Sequence, residues 1–317
     1  MARGSATGKV SLGVWLALGV VYVVWGSTYL GIRVLVRSAP PLLTAGGRFL
    51  LAGLVLGVAL AIRNGPASLR VSRRQLLSCS LIGLLLPLGG NGLVTLAERD
   101  VASGIAALVI AVVPLWVVLY RAVTGDRPSR NTLLGVLLGF GGIAVLADPH
   151  GSAQRVGLVL LVVSSVLWSF GSFVQGRLEL PEDPFVVTAY EMAVGGALMM
   201  AVALLRGEPG AHPISGITTE GWVAFGYLAV FGSLLAFTAY VWLLQNAPIS
   251  VVATYAYVNP AVAVLLGALV LGEPVTGRIL LGGAVVLVAV AVVVASESRV
   301  RRENVVVTPP PEPVAAD

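Results

Sequence analysis

The apolar stretch Ile110-Ala111-Val112-Val113-Pro114-Leu115-Trp116 has a counterpart late in the chain, Thr254-Tyr255-Ala256-Tyr257-Val258-Asn259-Pro260. Their prolines are 146 residues apart, and the same spacing separates Pro128 from Pro274. Nearer the amino terminus, three pairs recur at a spacing of 143 residues: Trp25 and Trp168, Pro41 and Pro184, Gly53 and Gly196. An ordered series of matches across both halves predicts one structural unit that occurs twice.

The composition indicates that most of the chain faces lipid. Hydrophobic residues make up 57% of the sequence, charged residues only 11%, and the mean hydropathy is +0.94. Soluble proteins carry about 25% charged residues. A helix needs roughly 20 apolar residues to span a bilayer. Ten stretches meet this need, at about 12–36, 41–62, 75–97, 101–121, 131–147, 156–176, 185–205, 221–244, 249–271 and 276–296.

These stretches predict an all-α integral membrane protein with ten transmembrane helices. Residues 12–147 and 156–296 form two five-helix repeats, and residues 297–317, rich in proline, form a disordered cytoplasmic tail. Because five is odd, the second repeat enters the membrane from the opposite side. Inverted repeats of this kind are typical of secondary transporters.

The distribution of lysine and arginine predicts the orientation, because basic connections tend to stay in the cytoplasm. With the amino terminus inside, thirteen basic residues lie on the cytoplasmic side and six outside, and Arg48 lies within a helix. Both termini are therefore expected in the cytoplasm. The net charge of +5 fits basic loops beside anionic lipid, so it calls for no nucleic acid.

Pro114 and Pro260 lie near the bilayer centre by helix length and are expected to kink their helices. If both line one central cavity, its helix 9 wall is aromatic and hydrogen-bonding and its helix 4 wall is apolar. Packing kinks and hydrogen bonds between helices are the alternative interpretation. The cavity interpretation suits an amphipathic small molecule. The residues predicted to line it are Trp25, Ser27, Thr28, Asn91, Pro114, Trp168, Tyr255, Tyr257, Asn259 and Pro260.

Charged residues inside a membrane are costly and often functional. Arg48 and Glu191 occupy equivalent repeat positions with opposite charge, about 10 Å apart along the membrane normal by helix rise. The arginine can pair with a carboxylate or carbonyls, act on substrate or a gate, or extend to the surface. Glu98, at the outer end of helix 3, is either solvent-exposed or an outer gate or proton site. We predict Arg48, Glu98 and Glu191 as gating or coupling residues.

Six motifs follow one another in the first half of the chain: Trp25-Gly26-Ser27-Thr28-Tyr29-Leu30, Pro40-Pro41, Ala45-Gly46-Gly47-Arg48-Phe49, Ala97-Glu98, Ser103-Gly104-Ile105-Ala106-Ala107-Leu108 and Val113-Pro114-Leu115. Together they resemble the EamA-type exporters of the drug/metabolite transporter superfamily, and the resemblance covers residues 12–296. It implies ten helices, cytoplasmic termini, a cavity built largely from helices 3, 4, 8 and 9, and export of amino-acid-like or other small organic solutes.

The sequence therefore predicts a secondary transporter of the inner (cell) membrane that exports small organic metabolites by alternating access. Proton coupling and a homodimer are left open. Neither a nucleotide-binding loop nor a zinc-protease motif occurs, so no enzyme activity, cofactor or metal is expected. The expected partners are a small-molecule substrate and the lipid bilayer. A passive channel or scaffold is the alternative, and an intramembrane enzyme is a more remote one.

Overall fold

The computed structural model of the protein describes residues 11–125, 128–146, 152–247, 249–252 and 254–307. Within these ranges the regular structure is helical, without strands. The long helices follow in the order α1 Leu12–Leu35, α2 Pro41–Asn64, α3 Arg73–Ala97, α4 Ser103–Val123, α5 Arg130–Leu146, α6 Ser152–Gln175, α7 Pro184–Leu205, α8 Thr219–Tyr227 with Leu228–Leu235 and Ala236–Asn246, α9 Ile249–Val252 with Tyr255–Leu271, and α10 Gly277–Val307.

Eight of these helices in the described chain are long and apolar enough to cross a membrane. The other two, α5 and the Tyr255–Leu271 part of α9, are apolar helices of 17 residues. The helices lie within a few residues of the ten predicted stretches. An exception is α10, which continues past the predicted boundary at 296 to Val307. Pro309 to Pro313 of the predicted tail lie outside the described residues.

The connections between helices gather on two opposite faces of the bundle. On the first face, Ser38 between α1 and α2 accepts a hydrogen bond at 3.3 Å from the backbone of Thr218, which precedes α8. On the second face, Gln75 at the start of α3 donates to the carbonyl of Leu180 between α6 and α7 at 3.4 Å. The first hairpins of the two repeats thus turn at opposite faces, which is the inverted arrangement.

The equivalent helices α2 and α7 pack against each other through glycines. A Cβ atom on Gly53 would lie 2.6 Å from the backbone nitrogen of Ala193, and one on Gly196 would lie 2.4 Å from that of Leu50. Gly53 and Gly196 are one of the pairs that recur at 143 residues. Small residues allow close backbone approach in membranes, where association depends on packing. The repeat in sequence therefore becomes a near-symmetric helix crossing.

Two helices contain wide π-helical turns at equivalent positions, Leu84–Gly92 in α3 and Leu228–Leu235 in α8. The helix α4 breaks at residues 111–112, just before Pro114, as the proline predicts. The expected kink at Pro260 is not where α9 is interrupted. Helix Tyr255–Leu271 runs through Pro260 as one element, and a turn at Thr254 precedes it. The two repeats therefore share interrupted helices without sharing the same breaks.

Carboxylates from the second repeat cap two helices of the first repeat. No side chain at their own N-cap positions, Pro40 and Ala102, bonds to α2 or α4. Instead, Glu208 accepts from the backbone nitrogens of Leu42 at 2.9 Å and Leu43 at 3.2 Å. Glu273 accepts from the nitrogen of Ser103 at 3.0 Å and from its hydroxyl at 2.8 Å. Negative charge at a helix N-terminus is stabilising, so these contacts hold the repeats together at the first face.

Candidate functional site

A cavity lies at the centre of the bundle, between the two repeats. The cavity has a volume of about 110 Å³. Seven helices supply its lining, so it draws on α1, α2 and α6 as well as on the four helices that the resemblance implied. The lining residues are Trp25, Thr28, Tyr29, Ile32, Arg48, Phe49, Gly90, Asn91, Val94, Ala107, Ile110, Ala111, Val113, Pro114, Ser164, Trp168, Gly232, Phe237, Tyr255, Ala256, Asn259 and Pro260.

The two walls differ in chemistry. Those residues that α4 contributes are all apolar, whereas α9 contributes Tyr255 and Asn259. With its amide nitrogen turned toward them, Asn259 donates to the carbonyls of Tyr255 and Tyr22, both at 3.3 Å. The ring of Trp25 lies edge-on to that of Tyr255, with centroids 5.5 Å apart. An aromatic and hydrogen-bonding wall therefore faces an apolar one.

Arg48 is the charged group of the cavity. It is 3% exposed and donates through Nη2 to Oδ1 of Asn91 and through Nη1 to Oγ of Ser233 at 3.4 Å. Its guanidinium carbon lies 4.5 Å from the ring centroid of Phe49, a cation–π distance. Arg48 and Glu191 do not form an ion pair. Glu191, which is outside the cavity lining, accepts instead from Gln175 at 3.4 Å.

The π-helical turns bring backbone groups to the cavity. Trp25 donates through Nε1 to the carbonyl of Gly232 at 3.2 Å, and Ser164 donates to the carbonyl of Gly90 at 2.8 Å. A Cβ atom on Gly90 would lie 2.4 Å from the ring of Trp168, so the indole packs directly on the backbone. Such turns are frequent at functional sites. Ser164, Gly90 and Gly232 are absent from the predicted set, although the glycines around Asn91 signal an irregular helix.

Two residues of the predicted set lie outside the lining. Ser27 forms a hydrogen bond with the hydroxyl of Tyr227 at 2.6 Å and donates to the carbonyl of Val23 at 2.7 Å. Tyr257 packs against a buried apolar cluster that includes Val112, Leu115 and Val286. The structure brings the other eight together around the cavity, with Pro114 and Pro260 both in its wall.

Glu98 is completely buried at the first-face end of the molecule, so the interpretation of Glu98 as solvent-exposed is wrong. Neither carboxylate oxygen has a hydrogen-bond partner among the described residues. Arg33 donates to the backbone carbonyls of Glu98 and Arg99, and its Nε lies 3.9 Å from Glu273. Loss of hydration raises the pKa of Glu98 well above its usual range, and the charge of Arg33 opposes that rise. The neutral carboxyl is thus favoured in this environment.

An apolar cluster separates the cavity from the first face. Its buried members include Ile32, Leu35, Ala97, Val101 and Leu228. Toward the second face, Val14, Leu18, Val21, Leu243 and Val252 form another buried cluster beside Trp25 and Tyr255. Among the described residues, no group of histidine, cysteine or acidic side chains is arranged to hold a metal ion. The described geometry is a central cavity with a buried apolar cluster on either side.

Comparison with known proteins agrees with this architecture. The model of the EamA-like transporter family matches residues 11–147 and 155–295, and so covers both repeats. The chain belongs to the EamA-like transporter family, and the resemblance noted in its sequence is confirmed. It is 40% identical over 260 residues to the "Uncharacterized inner membrane transporter YedA" of Escherichia coli strain K12, covering 81% of this chain and 82% of that protein.

More distant relatives extend the same picture. An "Uncharacterized transporter" of Archaeoglobus fulgidus is 23% identical over 282 residues, covering 86% of this chain and 95% of the relative. A solved structure, described as "Crystal structure of protein", superposes with a TM-score of 0.63 at 19% identity, covering 90% of this chain and 98% of the other. This structural likeness supports the fold alone.

Proposed function

We propose that the protein is a secondary transporter that moves small organic metabolites across the inner membrane by alternating access, in the export direction. The observation that carries the proposal is the cavity between two inverted repeats in a member of a transporter family. With the ten crossings and cytoplasmic termini proposed here, the first face would lie outside the cell. A passive channel is disfavoured because buried apolar clusters lie on both sides of the cavity.

We propose that the solute occupies the space between Trp25, Trp168, Tyr255 and Asn259. Aromatic rings would hold its apolar part, and Asn91, Thr28 and Asn259 would hydrogen-bond to its polar groups. Pro114 and Pro260 free backbone carbonyls in the wall. During alternating access, the apolar cluster around Ile32 and Val101 would open the cavity to the first face and would then close over the site again.

Counterflow in vesicles tests the proposal. Proteoliposomes loaded with unlabelled metabolites should take up trace amounts of the same metabolites added outside in labelled form. The uptake rate should saturate as the solute concentration rises. Trp25→Ala should raise the solute concentration that gives half-maximal uptake, since it removes the ring that contacts Tyr255. Trp15→Ala is a matched control, because Trp15 is 54% exposed on the same helix and lies outside the cavity. Non-saturating flux of all solutes would favour a channel and reject a carrier.

For coupling, we propose proton exchange at Glu98, with Glu191 as the alternative. Both carboxyls are buried, Glu98 near the first face and Glu191 in the part of α7 that begins at the second face. Glu98→Gln should abolish uptake into inverted vesicles driven by a proton gradient while solute exchange continues. Glu191→Gln in the same assay identifies which carboxylate couples. Unchanged gradient dependence in both variants would leave facilitated transport as the mechanism.

A further inference from the structure

The cavity contains one formal charge among its described lining residues, and that charge is positive. Arg48 is its sole lysine, arginine, aspartate or glutamate. Its side-chain partners, Asn91 and Ser233, are neutral. Arg48 takes part in neither the Arg33–Glu273 nor the Arg74–Glu179 ion pair. Arg48 therefore presents a charge without an ion-pair partner to the space in which a solute would bind.

An unbalanced guanidinium at this depth is costly unless something compensates it. Burial of an unpaired charge is strongly unfavourable, and arginines in membrane segments normally face a partner or water. The repeat-equivalent carboxylate, Glu191, accepts a hydrogen bond from Gln175 instead. Glu98 is near enough to interact electrostatically with Arg48, but the two side chains form no ion pair. A bound anion would supply the missing charge.

The geometry around Arg48 suits a carboxylate. A guanidinium has five N–H donors, of which two have partners here. Its guanidinium carbon lies 4.5 Å from the ring centroid of Phe49, and the hydrogen bonds to Asn91 and Ser233 limit its rotation. A planar donor fork fixed in this way matches the two oxygens of a carboxylate better than a point charge would. The aromatic wall of Trp25 and Tyr255 lies within the same cavity.

We propose that Arg48 is the anion-binding residue of the site, and that the transported solutes are organic acids in which a carboxylate is joined to an apolar or aromatic group. The statement that these acids are transported rests on the proposed function. The anion site itself rests on the geometry of Arg48. The class is narrower than amphipathic solutes in general. It excludes amines and neutral amides of the same shape.

A charge-reading experiment tests the site without knowledge of the natural solute. Val94 lies one turn from Asn91 on α3 and lines the cavity. A cysteine introduced as Val94→Cys, in a Cys79→Ser background, is treated with anionic ethylsulfonate or cationic trimethylammonium-ethyl methanethiosulfonate. We expect the anionic reagent to react faster, and Arg48→Gln to lower the anionic-to-cationic rate ratio by about tenfold, as removal of one nearby charge predicts.

Two controls separate charge from structure. Arg48→Lys keeps the charge and should keep the high rate ratio, whereas a merely structural arginine would fail in both variants. Ala67→Cys, in an exposed second-face connection, should give a ratio that does not respond to Arg48. A ratio at Val94→Cys that is the same with Arg48 and with Arg48→Gln would overturn the proposal. So would a cavity that neither reagent enters, because it could bind no solute.

Matched ligands then test the chemical class. Four acids are added at millimolar concentration before labelling: benzoate, phenylacetate, indole-3-acetate and octanoate. Each acid is compared with its own primary amide. At least one acid should slow modification of Val94→Cys while its amide does not, and Arg48→Gln should weaken this protection about tenfold. Protection by no acid, or equal protection by acids and amides, would overturn the proposal.

The two proposals fail in different ways. If the charge ratio and acid protection hold but no solute shows counterflow, the anion site stands and the transport proposal fails. If counterflow of some metabolite is saturable but indifferent to Arg48→Gln and to the solute's carboxylate, transport stands and the anion site is wrong.

Discussion

Replacement of Gly53 by alanine should destabilise the bundle at the crossing of α2 and α7. The added Cβ atom would lie 2.6 Å from the nitrogen of Ala193 and 2.8 Å from the carbonyl oxygen of Ala189. Favourable contacts begin at about 3.5 Å, and both neighbours are backbone atoms that cannot rotate away. The helices must move apart, which costs about 1–3 kcal/mol in a packed core.

Gly57 offers a matched control one turn further along α2. Nothing lies within 4 Å of a Cβ atom added there. Both substitutions gain the same helix propensity, up to about 1 kcal/mol, so their difference isolates the clash. Gly53→Ala should therefore be about 1–3 kcal/mol less stable than Gly57→Ala. Unfolding of the two purified proteins by a denaturing detergent in mixed micelles measures this difference.

The comparison also has a functional outcome. Arg48 precedes Gly53 on the same helix, so a displaced α2 moves the guanidinium relative to Asn91. We expect weaker counterflow in Gly53→Ala and unchanged counterflow in Gly57→Ala. Equal stability of the two variants would refute the reasoning, because it would mean that α2 and α7 do not approach as closely as the glycine pair requires.

Three further predictions concern topology and the first face. A reporter enzyme fused after Asp317 should be active only in the cytoplasm, since basic residues favour that side; periplasmic activity would reverse the assigned orientation. Glu208→Gln should lower stability by about 1 kcal/mol, because the α2 N-terminus loses a charged cap held at 2.9 Å from Leu42; a change no larger than that of the exposed Glu179→Gln would argue against the cap. Glu273→Gln should weaken the hydrogen bond to Ser103, so that a cysteine in place of the buried Val101 reacts faster with water-soluble thiol reagents. An unchanged reaction rate would show that this contact does not keep the first face closed.

Much of the scaffold was predictable because lipid imposes a simple rule on it. Each span must be a long apolar helix, so composition alone locates its ends. Repeated residues such as Gly53 and Gly196 then reveal the inverted pairing. The π-helical turn at Leu84–Gly92 was harder to predict. Its signal, Pro87 among several glycines, indicates irregularity but does not say which hydrogen bonds will shift.

The side-chain partners depended on distances that sequence spacing cannot supply. Depth along the membrane normal left an Arg48–Glu191 pair open, but depth says nothing about which sides of the bundle the two helices face. The capping role of Glu273 cannot be predicted from sequence spacing, because its partner, Ser103, lies 170 residues away. Tyr257 shares a polar segment with Tyr255 and Asn259, yet helical rotation turns it into the cluster around Leu115. Each of these outcomes comes from packing between distant segments.

The repeats agree in backbone and differ in charge, and this difference bears on mechanism. Equivalent π-helical turns and glycines give both halves the same shape, as rocking motion between repeats requires. Arg48 lies on the first repeat and Asn259 on the second, and both line the cavity. A solute that contacts both would therefore bridge the moving halves.

Because the equivalent position in the second repeat is Glu191, outside the lining, the positive charge would stay with the first repeat throughout the cycle. Release of an anion then requires the two halves to separate around Arg48, or another carboxylate to replace the solute. Glu98, buried nearer the first face with no hydrogen-bond partner for its carboxyl among the described residues, is the group placed to do so once it loses its proton.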